Sequence, residues 1–323
     1  MNKILELLEK NRGTSLSGEQ IAGFLGVSRA AVWKGIEALR RDGHIIDAVT
    51  NRGYALSDGS GVLSVEGLLP YLSDGVSAEN IHIYKTLEST NKTAKEMAMS
   101  GCVHGTVVIA DTQTAGRGRH GREFYSPADS GLYISIVLHP NKITLPDITM
   151  ITSAAAVAVC RAVKSVTGVD AGIKWVNDIL SDGKKICGIL TEAVTDLESG
   201  NIDWLVTGIG VNITTESFPD EIKHIATSVR KTAEVGIVPS MRSRLAAELI
   251  NILLTSNLLS DVDVIHKEYK ERLVVLGREI TVIQGDERYT GVATDVDKSG
   301  HLIVKKPDGS VVSLFSGEVS TKL

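Results

Sequence analysis

Nowhere in its 323 residues does the chain run through ~18 consecutive apolar side chains without a charge, the stretch a membrane-crossing helix needs. The opening Met1-Asn2-Lys3-Ile4-Leu5-Glu6 sets a carboxylate where a secretory leader requires an apolar core, so a cytosolic (cytoplasmic) protein with no membrane partner is expected. Cysteine is scarce: Cys102, Cys160 and Cys187 are scattered, without CxxC spacing or a neighbouring His cluster. That excludes a disulfide framework and a structural zinc site and leaves buried neutral thiols. The phosphate-cradling motif GxxxxGK[ST] is absent, so any nucleotide must be held by other means. Net charge is only −5, with 43% hydrophobic and 23% charged residues, the balance of an ordinary globular protein with room for two or three domains.

The charge is uneven. Residues 1–57 carry eight Lys/Arg against six Asp/Glu, leaving 26 against 33 in the remainder. Ile4, Leu5, Leu7 and Leu8 give a short amphipathic helix. Ser17-Gly18-Glu19-Gln20 reads as a capping box opening a second helix with Ile21, Phe24 and Leu25 as its apolar stripe. After Gly26-Val27, Ser28 can cap a third helix carrying Val32, Ile36 and Leu39 inward and Arg29, Lys34, Arg40 and Arg41 outward against Glu37. His44–Val49 and Gly53–Leu56 flank Thr50-Asn51-Arg52 as a β-hairpin wing. The pattern predicts a winged helix-turn-helix over 1–57, with Ser28, Arg29, Ala31, Lys34 and wing residue Arg52 facing DNA; a three-helix protein-interaction module is the alternative. Ser57-Asp58-Gly59-Ser60-Gly61 reads as a short flexible linker.

From 64 to 274 strand-like and helical runs alternate, predicting a mixed-sheet α/β domain. Expected strands are 81–86, 106–111, 131–139, 171–174, 185–194 and 202–213; expected helices are 91–100, 146–166 and 241–258. The Ala/Val run 154–163 lacks a polar face, so its helix should pack against the sheet. Four short strands at 277–283, 287–295, 302–306 and 311–315 suggest a small β-barrel over 275–323.

The richest chemical signal is Gly116-Arg117-Gly118-Arg119-His120-Gly121-Arg122. It contains GxGxxG, yet no helix opens there and Phe124-Tyr125-Ser126-Pro127 follows, which rules out a dinucleotide turn. Glycines free the backbone to fold over an anion, and guanidiniums offer bidentate bonds to phosphate or carboxylate; like charges should keep the loop disordered when empty. Glu88-Ser89-Thr90-Asn91 opens a helix after a strand and could hold a polar head group or simply cap it. Lys174-Trp175-Val176-Asn177-Asp178 ends a strand with an amide and a carboxylate, Gly183–Gly188 can aim a lysine inward, and Gly208-Ile209-Gly210-Val211-Asn212 permits close approach of a flat ring.

Together SGEQ…SRAAVWK, NRGYAL, ESTN, QTAGRGRHGR, KWVND, KKICGIL and GIGVN make the chain resemble, over nearly its whole length, the bifunctional biotin–protein ligases that repress biotin biosynthesis. The resemblance implies an α+β multidomain protein: the winged helix, a class II synthetase-like central domain and an SH3-like barrel. It implies two steps, formation of biotinyl-5′-AMP from biotin and ATP with Mg2+, then transfer to a lysine of a biotin carboxyl carrier domain. By the family pattern Ser89, Thr90, Asn91, Gln113, Gly116, Gly118 and Gly188 surround biotin, with Arg117, Arg119 and Lys185 catalytic. Arg122, Phe124, Asn177, Asp178 and Asn212 join Arg119 and Lys185 on the nucleotide side. Further partners implied are operator DNA and a second copy of the chain in a ligand-promoted homodimer. The chain departs from the pattern at Val176 for a usual proline, at Phe124 for a usual tryptophan, and at Asp286-Glu287-Arg288, where the barrel often carries a lysine. Lys184 and Lys185 are separated by alignment alone. A biotin sensor without transfer and a lipoate ligase are the competing readings.

Overall fold

The computed structural model describes residues 1–49, 52–139, 148–195, 202–234, 236–285 and 287–321. Thr50 and Asn51 of the wing tip, Pro146 of the expected long helix and Asp286 lie outside the described residues.

The amino-terminal unit contains α1 (Lys3–Lys10), α2 (Gly18–Leu25), α3 (Arg29–Arg41), β1 (Ile46–Val49) and β2 (Gly53–Leu56). Ser17 and Gln20 form the reciprocal capping box, and Gly26 ends α2 in the left-handed region. Leu5, Leu8, Leu16, Ile21, Val32, Ile36, Leu39, Ile46 and Leu56 close a core of their own. Phe24 departs from the expected stripe: it is 69% exposed, because an eight-residue helix needs only Ile21 and the flanking Ala22 and Leu25 to meet that small core.

The segment read as a flexible linker is pinned. Arg12 donates to the carbonyls of Ser57 (2.6 Å) and Ser60 (3.2 Å) while holding Glu9 at 2.7 Å, and Ser60 is buried. Arg242, fully buried, donates to the carbonyls of Gly61 (3.0 Å) and Gly131 (2.9 Å) and pairs with Asp111. Composition suggested flexibility because Gly and Ser carry no packing signal; two arginines distant in sequence supply the order.

The central sheet has the strand order β3-β4-β5-β9-β8-β7-β6. Its members are β3 (Ile81–Leu87), β4 (Val107–Gln113), β5 (Gly131–Leu138), β6 (Gly172–Lys174), β7 (Asp178–Ser181), β8 (Lys184–Thr195) and β9 (Ile202–Asn212). Only the β3–β4 pair is parallel, joined by α5 (Thr90–Met99). The short strand β7 escaped sequence reading because its four residues merge with the turns on either side. Strand alternation divides the two faces. Ile109, Leu132, Ile134, Ile136, Ile209 and Val211 enter the main core with α6 (Ile148–Thr167), α8 (Met241–Thr255) and α9 (Val262–Arg272). Helix α6 is long and apolar enough to span a membrane, but Ala154 to Cys160 are all buried in this core. Alternate residues Tyr133, Ser135, Gly208 and Gly210 face the other side, where α5 covers part of the sheet with Ala94 and Ala98. Small and polar residues on that face leave a depression.

Two short helices, α4 (Val65–Leu68) and α7 (Val229–Thr232), lie in the connections. The carboxyl-terminal sheet, order β13-β12-β11-β10-β14, is antiparallel and comprises β10 (Glu279–Gln284), β11 (Glu287–Val296), β12 (Leu302–Lys305), β13 (Val311–Leu314) and β14 (Glu318–Thr321). It docks on the central domain through Trp175, whose indole donates to Gly300 O at 2.9 Å, and through His266 against Val296 O.

Candidate active site

Two cavities open side by side on the depressed face. The first lies between Ser89, Thr90, Asn91, Gln113, Arg117, Gly188 and the glycines of β9. The second, the roomier of the two, is bounded by Tyr125, Trp175, Asp178, Asn212, Phe218 and Glu318 among others. Gly118, Arg119, Phe124, Asn177 and Lys185 line both. Five residues singled out from sequence thus form the junction.

Ser89 precedes α5 without spending its hydroxyl on the helix end, so plain capping does not account for it. Gln113, at the last position of β4, accepts from Thr90 N–H (2.8 Å) and donates to Ser126 Oγ (2.9 Å). Asn91 is turned inward: its amide donates to Leu190 O (3.1 Å) and Glu192 (2.8 Å). Gly208 is a glycine for this reason, since a Cβ there would stand 2.0 Å from Asn91 Oδ1. At Gly210 a Cβ would meet the Phe124 ring at 2.4 Å. The flat ring admitted by the GIGVN segment is therefore the chain's own Phe124, lying edge-on to Tyr133 between the cavities.

The glycine-arginine segment, expected to be disordered when empty, is instead folded as a narrow loop, with Glu88, Asn177 and Glu318 taking up its guanidiniums. Phe124 N–H donates to Gly116 O (2.8 Å), Gly118 N–H to Arg122 O (2.7 Å), and His120 and Gly121 turn with positive φ. Arg119 donates to Asn177 Oδ1 (3.2 Å) and Gly317 O (3.4 Å). Arg122 pairs with Glu318 at 2.7 Å, and Arg117 lies 3.8 Å from Glu88. The loop thereby closes on the carboxyl-terminal sheet through Gly317 and Glu318, which follow β13.

Lys185 and Lys184 are distinguished by geometry. A β-bulge between Ile179 and Leu180 shifts the β7–β8 register, and Lys185 Nζ reaches Asp178 Oδ1 at 2.6 Å while Lys184 is exposed and lines neither cavity. Asn177 donates to Ile189 O (2.9 Å), and Tyr269 OH donates to Val176 O (3.0 Å), fixing the turn that carries Asp178. Asn212 donates to Thr227 O (3.2 Å), whereas its Oδ1 is buried with no partner. Burial pushes the Cys160 thiol up to about 12 and Cys187 well above its usual range, in keeping with inert thiols.

Sequence reading missed Phe218, Ile222, Ile225, Ala226 and Gly317–Val319 as cavity walls. For Phe218, Ile222, Ile225 and Ala226 the signal was isolated apolar residues in a polar stretch after β9. Ser28, Arg29, Ala31, Lys34 and Arg52 lie apart from the cavities on the amino-terminal unit, and all five are exposed. Ser28 caps α3 by accepting from Ala31 N–H at 3.2 Å. Arg40 is withdrawn from the outer face, donating to Ile46 O and Glu37.

Residues 83–212 match the biotin/lipoate A/B protein ligase family, residues 1–55 an HTH domain, and residues 275–322 the biotin protein ligase C-terminal domain. A bifunctional ligase/repressor BirA of Bacillus subtilis is 40% identical over 232 residues, covering 71% of this chain and 70% of that one. The chain belongs to the bifunctional biotin ligase/repressor family. The Escherichia coli BirA is 27% identical over 99% of this chain and 96% of its own. Among solved structures, the biotin protein ligase of Aquifex aeolicus in complex with biotin and ATP superposes with a TM-score of 0.59. It is 26% identical, covering 75% of this chain and 98% of that one.

Proposed function

We propose that the two cavities are the halves of one adenylating site in a biotin–[acetyl-CoA-carboxylase] ligase. The first holds the fused ring of biotin and the second holds ATP. The observation that carries this reading is the shared wall: a chain joining two anionic reactants must place cations where negative charge crowds, and Arg119 and Lys185 line both cavities. A carboxylate oxygen of biotin attacks the α-phosphorus, the bond to pyrophosphate breaks, and biotinyl-5′-AMP forms. A lysine amine of the carrier domain then attacks the acyl carbon and AMP leaves. The carboxylate needs no general base, so positioning and electrostatics supply the acceleration of the first step. Phe124, wedged over Gly188 and Gly210, is placed to stack on the adenine.

Mg2+ fits the second cavity. Among the described residues no cluster of three His, Cys, Asp or Glu exists, but Asn212 Oδ1 is an unpartnered buried acceptor and Asp178 lines the same cavity. Those two oxygens, with water and phosphate, suit an ion that keeps most of its hydration; when bound it neutralises phosphate charge.

The deciding experiment mixes the protein with ATP and either biotin or lipoate, measures pyrophosphate release, and follows acyl transfer to a biotin carrier domain. Release and transfer with biotin alone are expected. Release without transfer would make the chain a sensor; preference for lipoate would make it a lipoate ligase. The helix-turn-helix unit and the BirA relatives favour biotin.

The amino-terminal unit then serves as an operator-binding repressor domain acting in the cytoplasm. One winged helix reads one half-site, and a palindrome needs two recognition helices ~34 Å apart or a multiple of it, so a dimer binds. Strand β3 is an outer strand of the central sheet, with Tyr84, Lys85 and Thr86 exposed beside the loop, and offers the pairing edge. Biotinyl-AMP bound under the loop fixes the surface beside β3 for pairing, which makes the intermediate a corepressor. Sedimentation should show adenylate shifting the protein towards dimer, with operator binding following. Equal monomer content in both states would overturn the coupling and leave the ligase standing.

A further inference from the structure

The amino-terminal unit keeps one large aromatic ring on the outside of its third helix. Of the three tryptophans, Trp175 and Trp204 are buried, whereas Trp33, in the second turn of α3, is 56% exposed. The other sides of α3 are occupied. Val32, Ile36 and Leu39 enter the small core, a Cβ at Gly35 would stand 2.3 Å from Ile4 Cδ1 of α1, and Arg40 bends back to Ile46 O of β1. At about 100° per residue, the arc left free runs around the helix from Trp33 through Glu37, Ala30 and Arg41 to Lys34. Arg40 follows Trp33 by seven residues and so lies on nearly the same line along the helix. Trp33 therefore occupies the flank of the arc turned towards the wing, and Lys34 the far flank.

The charges around this ring suit a polyanion. Arg29, Lys34 and Arg41 are exposed, as is Arg52 of the wing, and Glu37, the acid on the arc, is held by Arg40 at 2.7 Å. Phosphates account for the cations but not for the indole between them. A duplex presents one apolar group in its major groove, the C5 methyl of thymine, among hydrogen-bond donors and acceptors. That methyl lies on the pyrimidine side of the groove, close to its own backbone. A ring on the flank of a groove-bound helix is placed to meet it, while the small Ala30 in the middle of the arc lets the helix approach closely.

We propose that Trp33 is a sequence-reading residue of the repressor unit, its indole ring packing on a thymine methyl at one position of each half-site. Arg29, Lys34 and Arg41 hold the helix in the groove, and the ring selects the base pair by an apolar contact that cytosine cannot return. A protein partner is the other occupant an exposed tryptophan suggests, and the cations of the arc and wing favour DNA over it. The indole N–H only donates, so a bond from it to a base acceptor is a second way the residue could read, and the two are separable. The inference rests on the operator-binding reading and takes nothing from the ligase site.

The test first selects a site from a random-sequence duplex library with the full-length protein in biotin and ATP, so that it forms its own adenylate. Each thymine of the selected half-site is then replaced in turn, symmetrically in both halves, by deoxyuridine, which removes the methyl alone. At one thymine wild type should lose about fourfold per half-site, the worth of one buried methyl, and so roughly fifteenfold over the pair. Trp33→Ala should bind the thymine site at least that much more weakly and be indifferent to uracil. Trp33→Phe, which keeps a ring without the N–H, should keep the penalty, as should Phe24→Ala, which removes the comparably exposed ring of α2. The duplex should also shield Trp33 from acrylamide quenching, to which the buried Trp175 and Trp204 contribute little. Because Trp33 is exposed, thermal unfolding of Trp33→Ala should match wild type within about a degree or two. A wild type indifferent to uracil at every thymine, or a Trp33→Ala protein that keeps the penalty, overturns the proposal and leaves operator binding standing. A penalty lost in Trp33→Phe or in Phe24→Ala, or shielding of Trp33 by dimerisation without DNA, overturns it as well. Failure of the wild type to select any sequence would instead strike the operator-binding reading, and the proposal with it.

Discussion

Lys185→Gln is expected to slow biotinyl-AMP formation by roughly 10²–10³-fold while biotin binding weakens by no more than about fivefold. The two effects separate because the charge faces different demands in the two states. In the unreacted site Nζ is held by Asp178 at 2.6 Å, and the lysine side chain retains 27% of its exposure, so a distant carboxylate gains little from it. In the transition state the carboxylate and the α-phosphate close on each other between the cavities, and the ammonium lies where their repulsion is greatest. An interaction that strengthens only on the way to the transition state appears in the rate rather than in binding. Pre-steady-state pyrophosphate release gives the rate, and fluorescence or calorimetric titration gives the affinity. Lys184→Gln is the control: exposed and outside both cavities, it should change the rate by no more than about twofold. Equal losses in the two variants, or a loss of affinity matching the loss of rate for Lys185→Gln, would remove Lys185 from the role.

Local signals carried most of the fold. Capping boxes, glycine stops and strand alternation operate over a few residues, and α2, α3, β5 and β9 fall close to where those signals put them. What stayed hidden depends on contacts between residues distant in sequence. Nothing near Gly61 announces that Arg242 will hold it, and nothing near Ser316 announces that Gly317 and Glu318 will face Arg119 and Arg122. The candidate site was legible for a different reason. Its residues cluster in short motifs because strand ends and the turns after them are where a sheet presents chemistry, so ESTN, GRGRHGR, KWVND and GIGVN each report one wall. Their roles were less legible than their places. Asn91 lines the first cavity and also braces Glu192 and Leu190 O, while the GIGVN glycines make room for Asn91 and Phe124.

Arg119→Ala should release biotinyl-AMP about tenfold to a hundredfold faster than wild type, with the folded structure intact. Arg119 lines both cavities and bridges them to the carboxyl-terminal sheet, so its guanidinium is placed to cover the phosphate once pyrophosphate has left. Its present bonds, to Asn177 Oδ1 at 3.2 Å and Gly317 O at 3.4 Å, are long and neutral, so losing them costs little stability. A phosphate oxygen would give it charge-assisted, shorter bonds, which are roughly twice as strong. Thermal unfolding without ligand should therefore change by only a degree or two, whereas the stabilisation added by biotinyl-AMP should shrink with the affinity. Arg117→Ala serves as an internal comparison. Arg117 lines only the first cavity, and its one ion pair, with Glu88 at 3.8 Å, is exposed. It should loosen biotin and the adenylate together, while Arg119→Ala loosens the adenylate far more than biotin. Release is followed by trapping free biotinyl-AMP in a single-turnover chase, with biotin affinity measured separately. Release from Arg119→Ala no faster than from wild type would show that the loop does not retain the intermediate. Equal loss of biotin and adenylate would confine Arg119 to the biotin half.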